Sequence, residues 1–65
     1  MYKIYEKLRD ARGITDYRVS KDTGIPRSTL FDWKEKKYTP KIDKLLILAD
    51  YFGVPIELFI ERGKE

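Results

Sequence analysis

Four glycines and three prolines cut these 65 residues into short pieces, and that punctuation constrains the fold more than any other feature. Glycine ends helices in the left-handed conformation, and proline suits the first helical turn, where its missing N–H costs nothing. Between these marks apolar residues recur at helical spacing, and no stretch of useful length alternates as a strand would. Ile4, Leu8 and Ala11 make one stripe of a first helix over Tyr2 to Arg12, closed by Gly13. Thr15 is the expected N-cap of a second helix reaching Thr23, with Asp16 at its positive end, Val19 and Ser20 facing inward, and Gly24 after it. Pro26 opens a third helix to about Lys36. Pro26, Leu30, Trp33 and Lys37 share one of its faces; Ser28, Phe31, Asp32 and Glu35 lie opposite. Thr39 and Pro40 are expected to cap and open a fourth helix ending at Phe52, on a core stripe of Ile42, Leu45, Ala49 and Phe52. Pro55 opens a fifth, running to Arg62 before Gly63. The expected architecture is all-α: five short helices in one domain over residues 1–62, with a short polar tail at 63–65.

The residue inventory removes whole classes of function. There is no cysteine and no histidine, which excludes a disulfide framework, a cysteine zinc site, a histidine-dependent triad and a histidine pH switch. The carboxylates are spread along helix surfaces, so no enzyme site, metal, cofactor or small-molecule substrate is expected. No apolar run approaches the ~18 residues of a membrane span. Met1, Tyr2 and Lys3 lead straight into mixed polar sequence, with no visible signal peptide. A cytoplasmic, nucleoid-associated chain is the expectation. A domain this small, without staples, needs dense helix packing or a partner subunit.

The informative stretch is Thr15 to Trp33. Two short helices are separated by Thr23-Gly24-Ile25, a tight turn containing glycine. Ser20 is small where the helices press together, Ile25 enters the core from the turn, and Leu30 and Trp33 anchor the second helix from beneath. That is the spacing of a helix-turn-helix, in which one helix buttresses another whose outer face is left exposed. Over Thr15 to Trp33, then Tyr38-Thr39-Pro40-Lys41-Ile42-Asp43-Lys44-Leu45 and Leu48-Ala49-Asp50-Tyr51-Phe52-Gly53-Val54, the chain resembles the lambda-repressor-like and Cro-like (XRE) regulators of bacteria and phages. The resemblance covers roughly residues 4 to 60.

It implies a five-helix domain that inserts its third helix into the major groove of double-stranded DNA. Arg27, Ser28 and Asp32 match the family's base-contacting positions. Asp16 matches a position that often carries glutamine and touches DNA, with Tyr17 beside it at the start of helix two. Thr29, Lys36 and Lys37 match backbone-contacting positions. The family often has an acid where Lys34 stands, paired with an arginine at the position of Arg9; here Arg9 is left to Glu35 or to solvent.

Residue chemistry points the same way. Arg27 suits bidentate donation to guanine O6 and N7, and Phe31 suits contact with a thymine methyl. Asp32 has two equal readings, acceptor from cytosine N4 or i, i+4 partner of Lys36. Lys34, Lys36 and Lys37 would position the protein on phosphates without reading sequence. The overall charge is +3, and residues 25–44 alone carry net +3, against +2 over 1–24 and −2 over 45–65. The cationic excess thus falls on the reading half.

Ile47 and Tyr51 sit i, i+4 apart on helix four, roughly opposite the core stripe, and the resemblance implies that Leu46, Ile47 and Leu58 stand where the family is commonly polar. Together these four are expected to form a self-association surface. A two-fold dimer would hold its reading helices ~34–36 Å apart on a pseudo-palindromic operator. The expected function is a sequence-specific transcriptional regulator, a repressor acting by occupying its operator. With no second domain in view for ligand sensing, regulation would come from concentration, dimerisation or a partner protein. The rival is a protein-binding module of the same fold, antirepressor-like or antitoxin-like, favoured by the acids on helix three and by the apolar patch.

Overall fold

A computed structural model describes residues 2–60 of the chain. They form five helices and no strand: α1 Tyr2–Ala11, α2 Asp16–Thr23, α3 Arg27–Lys34, α4 Ile42–Phe52 and α5 Glu57–Ile60. The expected all-α architecture is present, in the expected order. No helix among the described residues is long and apolar enough to cross a membrane. Arg62, Gly63 and the tail at 63–65 lie outside the described residues.

The helix ends follow local chemistry. Thr15 is extended at φ −110°, and its hydroxyl accepts the Arg18 amide at 3.2 Å. A cap of this kind is worth ~1 kcal/mol over alanine. Pro26 sits one position earlier than expected, as the N-cap of α3, where its carbonyl accepts the amides of Thr29 and Leu30. The start of α4 also differs. Thr39 does not cap it and Pro40 is not its first residue; Lys41 is the N-cap, extended and without a side-chain bond. Pro40 is buried instead. A proline has no N–H to leave unsatisfied, so its ring can be buried ahead of a helix at no hydrogen-bond cost.

The core is Tyr5, Val19, Ile25, Leu30, Trp33, Leu45, Leu48, Ala49, Phe52 and Phe59. On α1 the buried side is centred on Tyr5; Ile4 and Leu8 lie at its flanks, and Ala11 is exposed. On α4 the stripe is Leu45, Leu48, Ala49 and Phe52, and Ile42 is 57% exposed. Ile42 has the right phase, but as the first residue of its helix it overhangs the packed layer. α3 ends at Lys34 rather than about Lys36, so Lys37, expected on its inner face, lies in the loop beyond it and is exposed, as is Pro26 at the N-cap.

Trp33 stands at the centre of an aromatic cluster. Tyr2 meets it edge-on at 5.5 Å between centroids, Tyr5 lies at 5.5 Å and Phe59 at 6.5 Å. Such pairs add ~0.5–1.5 kcal/mol beyond their buried area. They tie α1 and α5 to the floor of α3. Arg12 ties the end of α1 to the end of α4: its Nη2 donates to the Phe52 carbonyl at 2.9 Å, and its guanidinium lies over the Phe52 ring. α4 carries no cation in its own last turn, so Arg12 supplies one to its negative end from 40 residues away.

Candidate nucleic-acid interface

α2 packs against both α3 and α4, and the turn between α2 and α3 is locked from within. Gly24 takes φ 82°, a left-handed conformation that a side chain strains, and its amide donates to the Ser20 carbonyl at 2.8 Å. The Thr23 hydroxyl donates to the Val19 carbonyl and accepts the Ile25 amide. Ile25, 2% exposed, then pins the turn to the core. This turn fixes the angle at which α3 leaves α2. Leu30 and Trp33 hold its inner face down, so its outer face is turned to solvent.

Arg27, Ser28 and Phe31 come together there. With Thr15, Asp16 and Tyr17 from the start of α2 they line one cleft. Phe31 is 54% exposed and Tyr17 58%. The Arg27 guanidinium lies over the Tyr17 ring, 5.9 Å from its centroid, and among the described residues it makes no hydrogen bond or ion pair. Tyr17 therefore props the arginine without using its donors. The sequence contained the signal for this pair: an aromatic at the second position of α2 and an arginine at the first of α3.

The other expected contacts lie around the cleft. Asp32 and Thr29 are half-buried on its flanks, and neither lines it. Asp32 and Lys36 do not pair, and Glu35 does not reach Arg9. Lys34, Lys36 and Lys37 are exposed at the C-terminal end of α3. Lys36 is held at φ 63°, where its amide donates to Trp33 and the Lys37 amide to Asp32. A left-handed residue closing a helix in this way is usually glycine. The strained position projects a lysine just beyond the end of α3.

Asp16 is tied into the protein. Its Oδ1 accepts the Tyr5 hydroxyl at 2.5 Å and Arg9 Nη1 at 2.9 Å. Arg9 also pairs with Asp10 at 2.9 Å and lies 4.0 Å from Glu6. The partner that Lys34 leaves vacant on α3 is thus replaced by an acid on α2. Burial, reinforced by the bond to Asp16, holds the Tyr5 hydroxyl well above its ordinary value. The bond explains how a tyrosine can be the most buried residue of α1: its one polar atom has a charged acceptor.

A second polar link joins α4 to α2. The Tyr51 hydroxyl donates to Asp22 Oδ2 at 2.6 Å, and Arg18 Nε donates to the same oxygen at 2.8 Å. These bonds hold the Asp22 carboxyl below its usual range. Tyr51 is half-buried with its ring against Phe52, whereas Leu46, Ile47 and Leu58 are 51%, 41% and 38% exposed. Those three lie on α4 and α5, outside the cleft.

No curated protein and no solved structure matches the chain. A helix-turn-helix family model matches residues 6–59, a span that contains α2, the turn and α3 and runs from α1 into α5. The chain therefore belongs to the helix-turn-helix family of lambda-repressor-like and Cro-like DNA-binding regulators.

Proposed function

We propose that this protein is a sequence-specific regulator of double-stranded DNA, acting as a repressor, with the outer face of α3 as its reading surface. The observation that carries this is the open face formed by Arg27, Ser28 and Phe31, with exposed lysines at the far end of the same helix and its opposite face buried. Arg27, held over Tyr17, keeps its donors free for a guanine edge. Lys34, Lys36 and Lys37 sit where phosphates would flank a helix lying in the groove, and they supply position rather than sequence. Asp16 has a structural part in this scheme: its carboxylate holds the start of α2 to α1 through Arg9 and Tyr5. Repression then follows from occupancy, the bound domain excluding polymerase from the same stretch of duplex.

Leu46, Ile47 and Leu58 support a second copy as partner, pairing through α4 and α5 and leaving both reading helices outward. Tyr51 is committed to Asp22 and contributes at most the edge of its ring. Such a two-fold pair would read a pseudo-palindromic operator with half-sites about one helical turn apart.

The test is selection from a random duplex pool at fixed salt of ~100 mM, because affinity depends on salt. Enrichment of one sequence motif, lost at a guanine position in Arg27→Ala, supports the proposal. Uniform binding that Arg27→Ala leaves unchanged contradicts it. Salt-insensitive binding to a protein, with no duplex bound, would favour the protein-binding module instead.

A further inference from the structure

Two large aromatic side chains stand exposed in the cleft that Arg27 lines, and DNA binding in general does not call for them. Phosphate contacts need cations, and guanine needs only Arg27. Tyr17 is accounted for as the ring beneath the guanidinium. Phe31 is left over: it is 54% exposed, lies outside the core, and lines the same cleft as Arg27 and Ser28.

We infer that Phe31 and Arg27 form a composite reader of a C5-methyl group on a pyrimidine beside a guanine. The inference rests on α3 entering the major groove. There the C5-methyl is the apolar group that a base pair presents, and an aromatic side chain is one of its partners. Arg27 and Phe31 are four residues apart on one helix, which places their Cβ atoms ~5–6 Å apart. Base pairs rise by ~3.4 Å, so the two side chains address bases within about two steps of each other. Arg27 fixes the register by its bond to guanine, and Phe31 then covers the methyl and removes it from water. Thymine and 5-methylcytosine carry the same group, so either base can supply the methyl.

The experiment uses the duplex enriched by selection. Each pyrimidine within two steps of the guanine that Arg27 reads is varied in matched pairs, thymine against deoxyuridine and 5-methylcytosine against cytosine. Affinities are measured by fluorescence anisotropy at fixed salt. At one position the methylated member binds about fourfold tighter, the worth of one methyl-sized group buried. In Phe31→Ala the two members bind alike, and a thermal melt checks that this exposed substitution leaves the fold intact. Preference in the thymine pair alone assigns thymine as the source of the methyl, and preference in the cytosine pair alone assigns methylated cytosine; both support the inference. Equal binding within every pair, or a methyl preference that survives in Phe31→Ala, overturns it while leaving α3 as the reading helix. Failure of any duplex to be enriched overturns both.

Discussion

Lys36 offers a substitution whose effects on stability and on DNA binding should have opposite signs. It is the non-glycine residue held at positive φ among those described, at 63°, one residue past the C-cap Glu35 of α3. A side chain in the left-handed region costs ~1–2 kcal/mol, because its Cβ crowds the following carbonyl. Lys36→Gly removes that strain. The glycine gives back ~0.4–1 kcal/mol through the greater freedom of the unfolded chain. The net gain is about 0.5–1 kcal/mol, which for a domain of this size raises Tm by about 2–8 °C. The same change deletes one cation from the C-terminal end of the helix proposed to read DNA. If that cation sits on a phosphate, the log–log dependence of affinity on salt becomes shallower by ~0.9. Lys36→Ala is the control: it loses the charge but keeps the strain, so its slope falls without a gain in Tm. Thermal melts followed by circular dichroism and anisotropy titrations across a salt series measure the two effects. A Lys36→Gly variant no more stable than Lys36→Ala would refute the strain argument, and an unchanged salt slope in both would remove Lys36 from the backbone-contacting set.

Two further outcomes follow from the polar links. Tyr5 is held protonated when folded and loses its proton near its ordinary value of 10.0 when unfolded. Its contribution is therefore complete below pH 10 and is lost as pH rises beyond it, by ~1.4 kcal/mol per pH unit. Denaturant melts across that range should show a steeper alkaline loss in the wild type than in Tyr5→Phe, and equal slopes would contradict the assignment. Asp16→Asn should cost about 1 kcal/mol of stability, a charged hydrogen bond discounted for the carboxylate's partial exposure, and should leave the selected DNA sequence unchanged. A shifted base preference at unaltered stability would return Asp16 to the reading surface.

The helix-turn-helix was legible in the chain because its determinants are local. Gly24 must be left-handed, Ile25 must enter the core, and Leu30 and Trp33 lie three residues apart on one side of α3. Turn chemistry and a 3.6-residue period suffice to find such features. The open face of Arg27, Ser28 and Phe31 is the complement of that buried side and was legible with it. Tertiary partners were not. Tyr5 lies off the Ile4, Leu8 and Ala11 stripe, and its burial depends on an acceptor eleven residues on, at Asp16. Arg9 had several acids within reach of a helix surface, and only the packing of α1 against the start of α2 selects Asp16. Arg12 carried a local signal for ending α1, yet its bond is to Phe52. Ile42 shows the converse limit: periodicity gave the right phase, but it does not say where the packed layer ends. Pro40 reads as a helix start by residue type, and burial of its ring outside the helix depends on neighbours that the local pattern does not contain.

The most direct test of the central claim is chemical-shift mapping of the labelled protein with its selected duplex. The largest amide and side-chain shifts are expected at Tyr17, Arg27, Ser28, Phe31 and Asp32, with smaller ones at Lys36 and Lys37. Leu46, Ile47 and Leu58 should stay near their free positions once self-association is held constant. Shifts centred on α4 and α5, with the outer side of α3 unmoved, would contradict it.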